Sequence, residues 1–300
     1  MLLKIAKSSV VLALAAGSMY ANAFNEQAEK DREALIKYFE SKFEDAEKNK
    51  DKFFANSTDE ELTKFTKGVK HNDFALGTYA YNSPAKELYD TNKEAFLPYE
   101  DNIAKGEEFY NKSLKGCFPD PTVSNEYPKF DEGKKSVVSL AEAINACITA
   151  ADPKAKKLGS GDKDMQNVQA FFAAKAMEAG KVVDVKITSK EAAEAYERGK
   201  KYYYSQRGYL KLSCATCHVQ GTGQRVRNEY MSPLLGATTH FPAYRNSSNA
   251  LFTLEKRMSG CINDEGQKAP KEDSKDMQEL LYFMGYMSNG MKIDGPDLRK

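Results

Sequence analysis

Hydrophobic positions along this chain return with helical spacing far more often than they alternate. From Ser189 to Tyr204 the apolar series is Ala192, Ala195, Tyr196 and Tyr203, behind a serine suited to capping and with Glu191 and Glu194 placed early. That pattern predicts an amphipathic helix. Asp276 to Tyr286 predicts a second helix, ended by Asn289 and Gly290, and Ala250 to Met258 a shorter one that delivers Cys261 to a turn. Lys154 to Asp164 is polar and contains glycine, which reads as a loop, and Gly180 to Asp184 reads as a hinge.

The pattern occurs twice. Gly106-Glu107-Glu108-Phe109-Tyr110, leading to Cys117, echoes Gly199-Lys200-Lys201-Tyr202-Tyr203, leading to Cys214. Leu140 and Leu254 each stand seven residues before a cysteine, Cys147 and Cys261. Lys163-Asp164-Met165-Gln166 returns as Lys275-Asp276-Met277-Gln278, and an apolar run follows each copy. Three matched blocks in one order imply internal duplication. The charge-rich section from Asn25 to about Asp73 predicts helices packed outside the first repeat.

Composition narrows the class. Lys4 and Lys7, a short apolar run from Ser8 to Ala16, and Ala21-Asn22-Ala23 have the layout of an export signal cleaved after residue 23. That run is shorter than a membrane span, and no later segment reaches the needed length. Losing two lysines and no acids takes the formal charge from +1 to −1. A balance so close to zero gives no support for nucleic-acid binding or a polybasic membrane anchor. The expected compartment is the periplasm.

Cys214-Ala215-Thr216-Cys217-His218 carries the chemistry. Cys-x-x-Cys-His is the attachment sequence for c-type haem: two thiols reach the two vinyl groups and the adjoining imidazole becomes an axial ligand. A zinc site needs further ligands, and the chain has only His71, His218 and His240. With the duplication, the expected fold is all-α: two cytochrome c-like domains, the first without haem, plus an N-terminal helical extension. The expected divisions are 1–23 (signal), 24–182 (haem-less domain with its extension) and 183–300 (haem-binding domain).

Three cysteines remain. Cys117 lies in the first repeat's attachment region but is followed by Phe118-Pro119-Asp120, with no second cysteine or histidine. Duplication sets Cys147 where Cys261 sits in the other half, so with no porphyrin between them Cys117 and Cys147 are expected to form a disulfide, as suits an oxidising compartment. Cys261 is left unpaired, 43 residues after His218. At that separation it is a candidate for the second axial ligand, with Met258, three residues away, as its competitor. Arg225, Arg227 and Arg245 are candidates for positive potential around a haem-edge channel or for pairing with haem propionates. His240 reads as a satisfied structural histidine.

The haem motif, followed by Arg257-Met258-Ser259-Gly260-Cys261 within two cytochrome-like halves behind an export signal, resembles the SoxA family. These are the A subunits of sulfur-oxidising SoxAX cytochromes, L-cysteine S-thiosulfotransferases. The resemblance spans the chain beyond its signal, and its most specific element is the arginine four residues before an unpaired cysteine. It implies one covalent haem c on Cys214 and Cys217, with His218 and Cys261 on the iron. It further implies Cys261 as the catalytic cysteine, occurring as a persulfide, and Arg257 as the substrate contact. The guanidinium fork suits a small oxyanion such as thiosulfate. Implied partners are a SoxX-like small cytochrome, a SoxYZ-like carrier whose cysteine receives the sulfur group, and a downstream cytochrome c. Many family members carry haem in both halves; this chain resembles the single-haem branch. An electron-carrying cytochrome with His218/Met258 ligation, and a thiosulfate dehydrogenase forming tetrathionate, are the alternatives.

Overall fold

The computed structural model describes residues 23–54, 59–95, 97–226 and 229–299; all but the last residue of the expected export signal, and Arg227, lie outside them. Helices in chain order are α1 (Glu26–Phe43), α2 (Asp59–Thr63), α3 (Ser83–Ala95), α4 (Glu100–Ser113), α5 (Leu140–Ala151), α6 (Lys163–Glu178), α7 (Lys190–Tyr204), α8 (Leu254–Asp264) and α9 (Lys275–Met287). Seven strands of two or three residues accompany them: β1 (Lys129–Asp131), β2 (Ser136–Val138), β3 (Arg225–Val226), β4 (Glu229–Tyr230), β5 (Ala243–Arg245), β6 (Ala250–Phe252) and β7 (Asp297–Arg299). Helix therefore dominates, as the spacing of apolar residues predicts. Among the described residues no helix is long and apolar enough to cross a membrane.

The two repeats share one construction. In the first, α4 crosses α6 at Gly106, where an added Cβ would stand 2.1 Å from the Asn167 carbonyl oxygen. In the second, α7 crosses α9 at Gly199, 2.0 Å from the corresponding Glu279 oxygen. Only a residue without Cβ permits helices to touch so closely, which is why glycine stands at both points. Four residues on, Tyr110 packs on Phe171 with ring centroids 5.0 Å apart, and Tyr203 on Phe283 at 5.3 Å. Gln166 and Gln278 each donate to the carbonyl six residues back, Ser160 at 3.2 Å and Glu272 at 2.6 Å.

Each repeat also has a hairpin that delivers its later cysteine. β1 pairs antiparallel with β2, Ser139 caps α5, and Cys147 follows. β5 pairs antiparallel with β6, Thr253 caps α8, and Cys261 follows. The stretch from Ala250, expected as helix, is therefore strand β6 until the cap; α8 begins at Leu254 and runs through Cys261 to Asp264. Pairing with β5 overrides local helical preference over those three residues. β7 returns from the C-terminus to lie parallel beside β5.

Two further expectations change. The segment after α6 does not cross open solvent as a hinge: Val183 N–H donates to Met291 O, Gly290 N–H to Val183 O, and Asn289 exchanges side-chain bonds with Val185. Nor does the N-terminal section pack outside the first repeat. Leu35, Phe39, Phe43, Phe53, Phe74 and Tyr81 belong to one core with Tyr196, Leu234, Met258 and Phe283 of the second repeat. Polar contacts fix the docking, with Tyr196 donating to Asp31 at 3.0 Å and Tyr286 to Glu29 at 2.6 Å. The first repeat keeps a separate core of Tyr110, Leu114, Phe118, Ile144, Phe171 and Phe172.

Candidate functional site

Ser213 and Thr216 set the start of the haem motif. Thr216 N–H donates to Ser213 Oγ at 3.1 Å, and Ser213 N–H to Thr216 Oγ1 at 3.1 Å. This reciprocal arrangement works as a capping box and starts a helical turn at Cys214, which continues as the π-type turn Thr216–Gln220. Cys214, Cys217 and His218 thus fall three and four residues apart on one helical turn, so their side chains share a face.

His218 is held by its other nitrogen. Nδ1 lies 2.8 Å from the Ser232 carbonyl oxygen, and a carbonyl only accepts, so Nδ1 carries the proton. The Nε2 lone pair is thereby left for a metal, the arrangement that orients histidine ligands generally. Burial, with a contribution from Arg257, lowers the imidazole below its ordinary range and keeps it neutral. Cys214 and Cys217 are free thiols; burial pushes Cys214 up to about 12 and raises Cys217 as well. Two unpaired thiols and a neutral, oriented imidazole on one turn fit a covalently attached haem c.

Helix α8 divides its residues by face. Met258 and Ile262 are buried in the second-repeat core, whereas Arg257 and Cys261, one turn apart, are both only partly buried on another face. Burial raises the Cys261 thiol, Arg257 opposes that, and Glu265 and Asp264 add to the rise, with Arg245 the smallest opposing influence. Cys261 and Glu265 both raise the two attachment cysteines electrostatically, so all four groups act on one another. Glu265 is itself buried and raised by desolvation, and it accepts a 2.7 Å bond from Gln267.

Arg257 opens onto a cavity of about 530 Å³, lined also by Arg225, Tyr230, Arg245 and Arg299 and by none of the three free cysteines. Arg245 pairs with Glu229 at 3.3 Å and Arg299 with the buried Asp297, so those two are partly neutralised. His240 also lines it, buried and hydrogen-bonded to the Gly236 backbone, while its Nδ1 has no partner among the described residues. Another cavity, about 590 Å³, lies at the N-terminal ends of α5 and α8.

In the first repeat Cys117 and Cys147 are bonded, with Cα atoms 6.0 Å apart, and Cys147 is buried in that repeat's core. The sequence reading missed Ser232, Glu265 and Arg299. Glu265, four residues beyond Cys261 at the C-terminal cap of α8, was the one with a local signal; Ser232 and Arg299 reach the site only through the tertiary fold.

The chain matches the family model for the SoxA/TsdA cytochrome c domain over residues 102–179 and 198–293. It is 40% identical to the L-cysteine S-thiosulfotransferase subunit SoxA of Chlorobaculum tepidum, over 77% of this chain and 82% of that one. To the subunit of the same name from Allochromatium vinosum it is 35% identical, over 77% and 84%. Among solved structures it is similar to SoxXA from P. pantotrophus, with a TM-score of 0.60 and 25% identity over 68% of this chain and 79% of that one.

Proposed function

Because this chain belongs to the SoxA family of L-cysteine S-thiosulfotransferase subunits, we propose that its face bearing Arg257 and Cys261 couples thiosulfate to a cysteine of a carrier protein. The protein is a c-type cytochrome subunit of a thiosulfate-oxidising enzyme. The observation that carries the finer reading is the pairing of a guanidinium and an unpaired thiol on one partly exposed face of α8, next to the attachment cysteines.

In this reading Cys214 and Cys217 would hold a single haem covalently, and His218 and Cys261 would supply its two protein iron ligands. The haem supplies an electron acceptor and a metal to which a sulfur ligand can bind. Arg257 binds the thiosulfate oxygens by charge-assisted hydrogen bonds. Cys261 acts as the sulfur nucleophile and occurs as a persulfide; burial disfavours its thiolate, and the Arg257 guanidinium works against that penalty. The net change joins thiosulfate to a carrier thiol as a cysteine S-thiosulfonate, with release of one proton and two electrons. One iron centre accepts one electron, so a second redox centre is required, which a SoxX-like small cytochrome supplies before a downstream cytochrome c. The carrier is SoxYZ-like, and the compartment is the periplasm. Met258, packed in the core, is poorly placed to serve instead of Cys261.

Intact-mass analysis of the Cys261 peptide tests this directly: one additional sulfur atom, removed by reductant, is expected. Arg257→Ala is expected to lower carrier-dependent turnover roughly 10- to 100-fold, the loss of one charged hydrogen-bonding contact, with the haem spectrum largely unchanged. Wild-type thiosulfate kinetics in that variant would remove Arg257 from the substrate site.

A further inference from the structure

Lys42, near the end of α1, is wholly buried. Its ammonium donates to the Gln220 carbonyl at 2.9 Å and otherwise faces aromatic rings: Phe53 at 4.5 Å, Tyr38 at 5.9 Å and Phe43 at 6.0 Å from the ring centres. Among the described residues no carboxylate pairs with it. A buried cation without a counter-charge is unfavourable unless something specific holds it. Here the partner is the last residue of the turn that carries Cys217 and His218.

The surroundings make the contact a built one. Past Gln220 the chain runs over the same aromatic box, and an added Cβ at Gly223 (φ +83°) would stand 3.0 Å from Phe53 and 3.1 Å from Phe43. Tyr81, stacked on Phe43 at 4.4 Å, donates to the Met231 carbonyl, which also accepts from Gly223 N–H. One residue further, Ser232 accepts from His218 Nδ1. The N-terminal extension therefore grips both strands of the loop that presents the imidazole.

We propose that Lys42 is a positioning residue for His218: its amine holds the Gln220 carbonyl and so fixes where the haem-motif turn presents the imidazole. The inference rests on the reading of His218 as an iron ligand. It has an electrostatic corollary. Burial lowers the Lys42 ammonium to about 7. The other titratable group facing it is the Tyr38 phenol, which burial raises and which stays neutral near that pH; Lys52, on the neighbouring turn, is engaged by Ser41. A cation there favours the reduced iron, so the reduction potential is higher below about pH 7 and falls as Lys42 loses its proton.

The test uses the haem-loaded protein with Lys42→Met, which keeps the stem but removes donor and charge, and Lys42→Gln, which keeps a donor. Ferric electron paramagnetic resonance and spectroelectrochemical titration from about pH 5.5 to about pH 8.5 are the readouts. Lys42→Met is expected to shift the ferric ligand-field signals and to lower the potential at acidic pH, its curve converging on wild type above about pH 8. Lys42→Gln is expected to restore the ferric signals while sharing the flat titration. Signals and slope both unchanged in Lys42→Met would overturn the proposal. Wild-type spectra lacking imidazole ligation would instead overturn the reading of His218.

Discussion

The two repeats set the same backbone to opposite ends. Counted from their caps, Ser139 and Thr253, the helices α5 and α8 carry Ala143 and Cys147 in one case and Arg257 and Cys261 in the other. In the first repeat, the later cysteine closes onto Cys117 inside a core of that repeat's own helices. In the second it stays a free thiol, and the core extends outward to include the N-terminal extension. The disulfide joins the region after the first helix to the later one, and in the proposed function His218 and Cys261 would do the same through the haem they hold. The cation four residues before the cysteine is present only where the sulfur is free.

That comparison breaks most sharply at the sulfur. Cys261→Ala is expected to reduce carrier-dependent turnover at least about a thousandfold, the scale on which removal of an attacking nucleophile acts, while the Cys117–Cys147 unit keeps its stability. Steady-state kinetics with a carrier protein, beside a thermal melt, check both halves of the statement. A variant that turned over normally would make the second repeat an electron carrier only.

Structural equivalence is tested next by the crossing glycines. Gly106→Ala and Gly199→Ala each push a methyl to about 2 Å from a backbone oxygen, which neither rotamer change nor a flexible neighbour relieves. Losses at or above the upper end of overpacking costs, about 3 kcal/mol, are expected in both. Only Gly199→Ala is expected to disturb haem incorporation, read from the ratio of Soret to protein absorbance. Equal effects on haem would mean that the two repeats are not independently packed.

Much of this was legible in the sequence, for physical reasons that differ by residue. The haem motif is local chemistry, and the Ser189 cap with its apolar series fixes α7 without outside help. The duplication made glycine, tyrosine and cysteine positions comparable across halves. The docking of α1 was not legible, because an apolar face made of Leu35, Phe39 and Phe43 says only that something is covered. Lys42 looks in sequence like one solvated lysine among many; only the fold closes rings around it. The hairpins before α5 and α8 were also hidden, since their strands are three residues long and turn through positive φ at Lys135 and Asn249.

Removing the disulfide sharpens the contrast from the other side. Cys117→Ser with Cys147→Ser is expected to cost roughly 3–4 kcal/mol for a loop of this length, measured by denaturant unfolding. The haem spectrum is expected to hold, since the two cores are separate clusters. Loss of haem on reduction of that bond would show that the first repeat braces the second more directly than their separate cores imply.

The smallest expected effect asks how much of α8's role depends on where it begins. Ser139 Oγ accepts from Glu142 N–H and Thr253 Oγ1 from Lys256 N–H, both at 3.3 Å, and both caps are buried. Replacing either with alanine leaves a first-turn amide without its partner, at about 1 kcal/mol. Ser139→Ala is expected to register in the melt alone, because α5 carries no reacting group beyond a cysteine already bonded. Thr253→Ala is expected to register twice, since the Arg257 amide donates to the Thr253 carbonyl and fraying of that turn moves the guanidinium. A KM for thiosulfate raised in Thr253→Ala with little change in kcat places the cap's influence on substrate binding. If KM is unmoved, α8 is set by the burial of Met258 and Ile262, and the position of Arg257 is a property of the core rather than of the helix start.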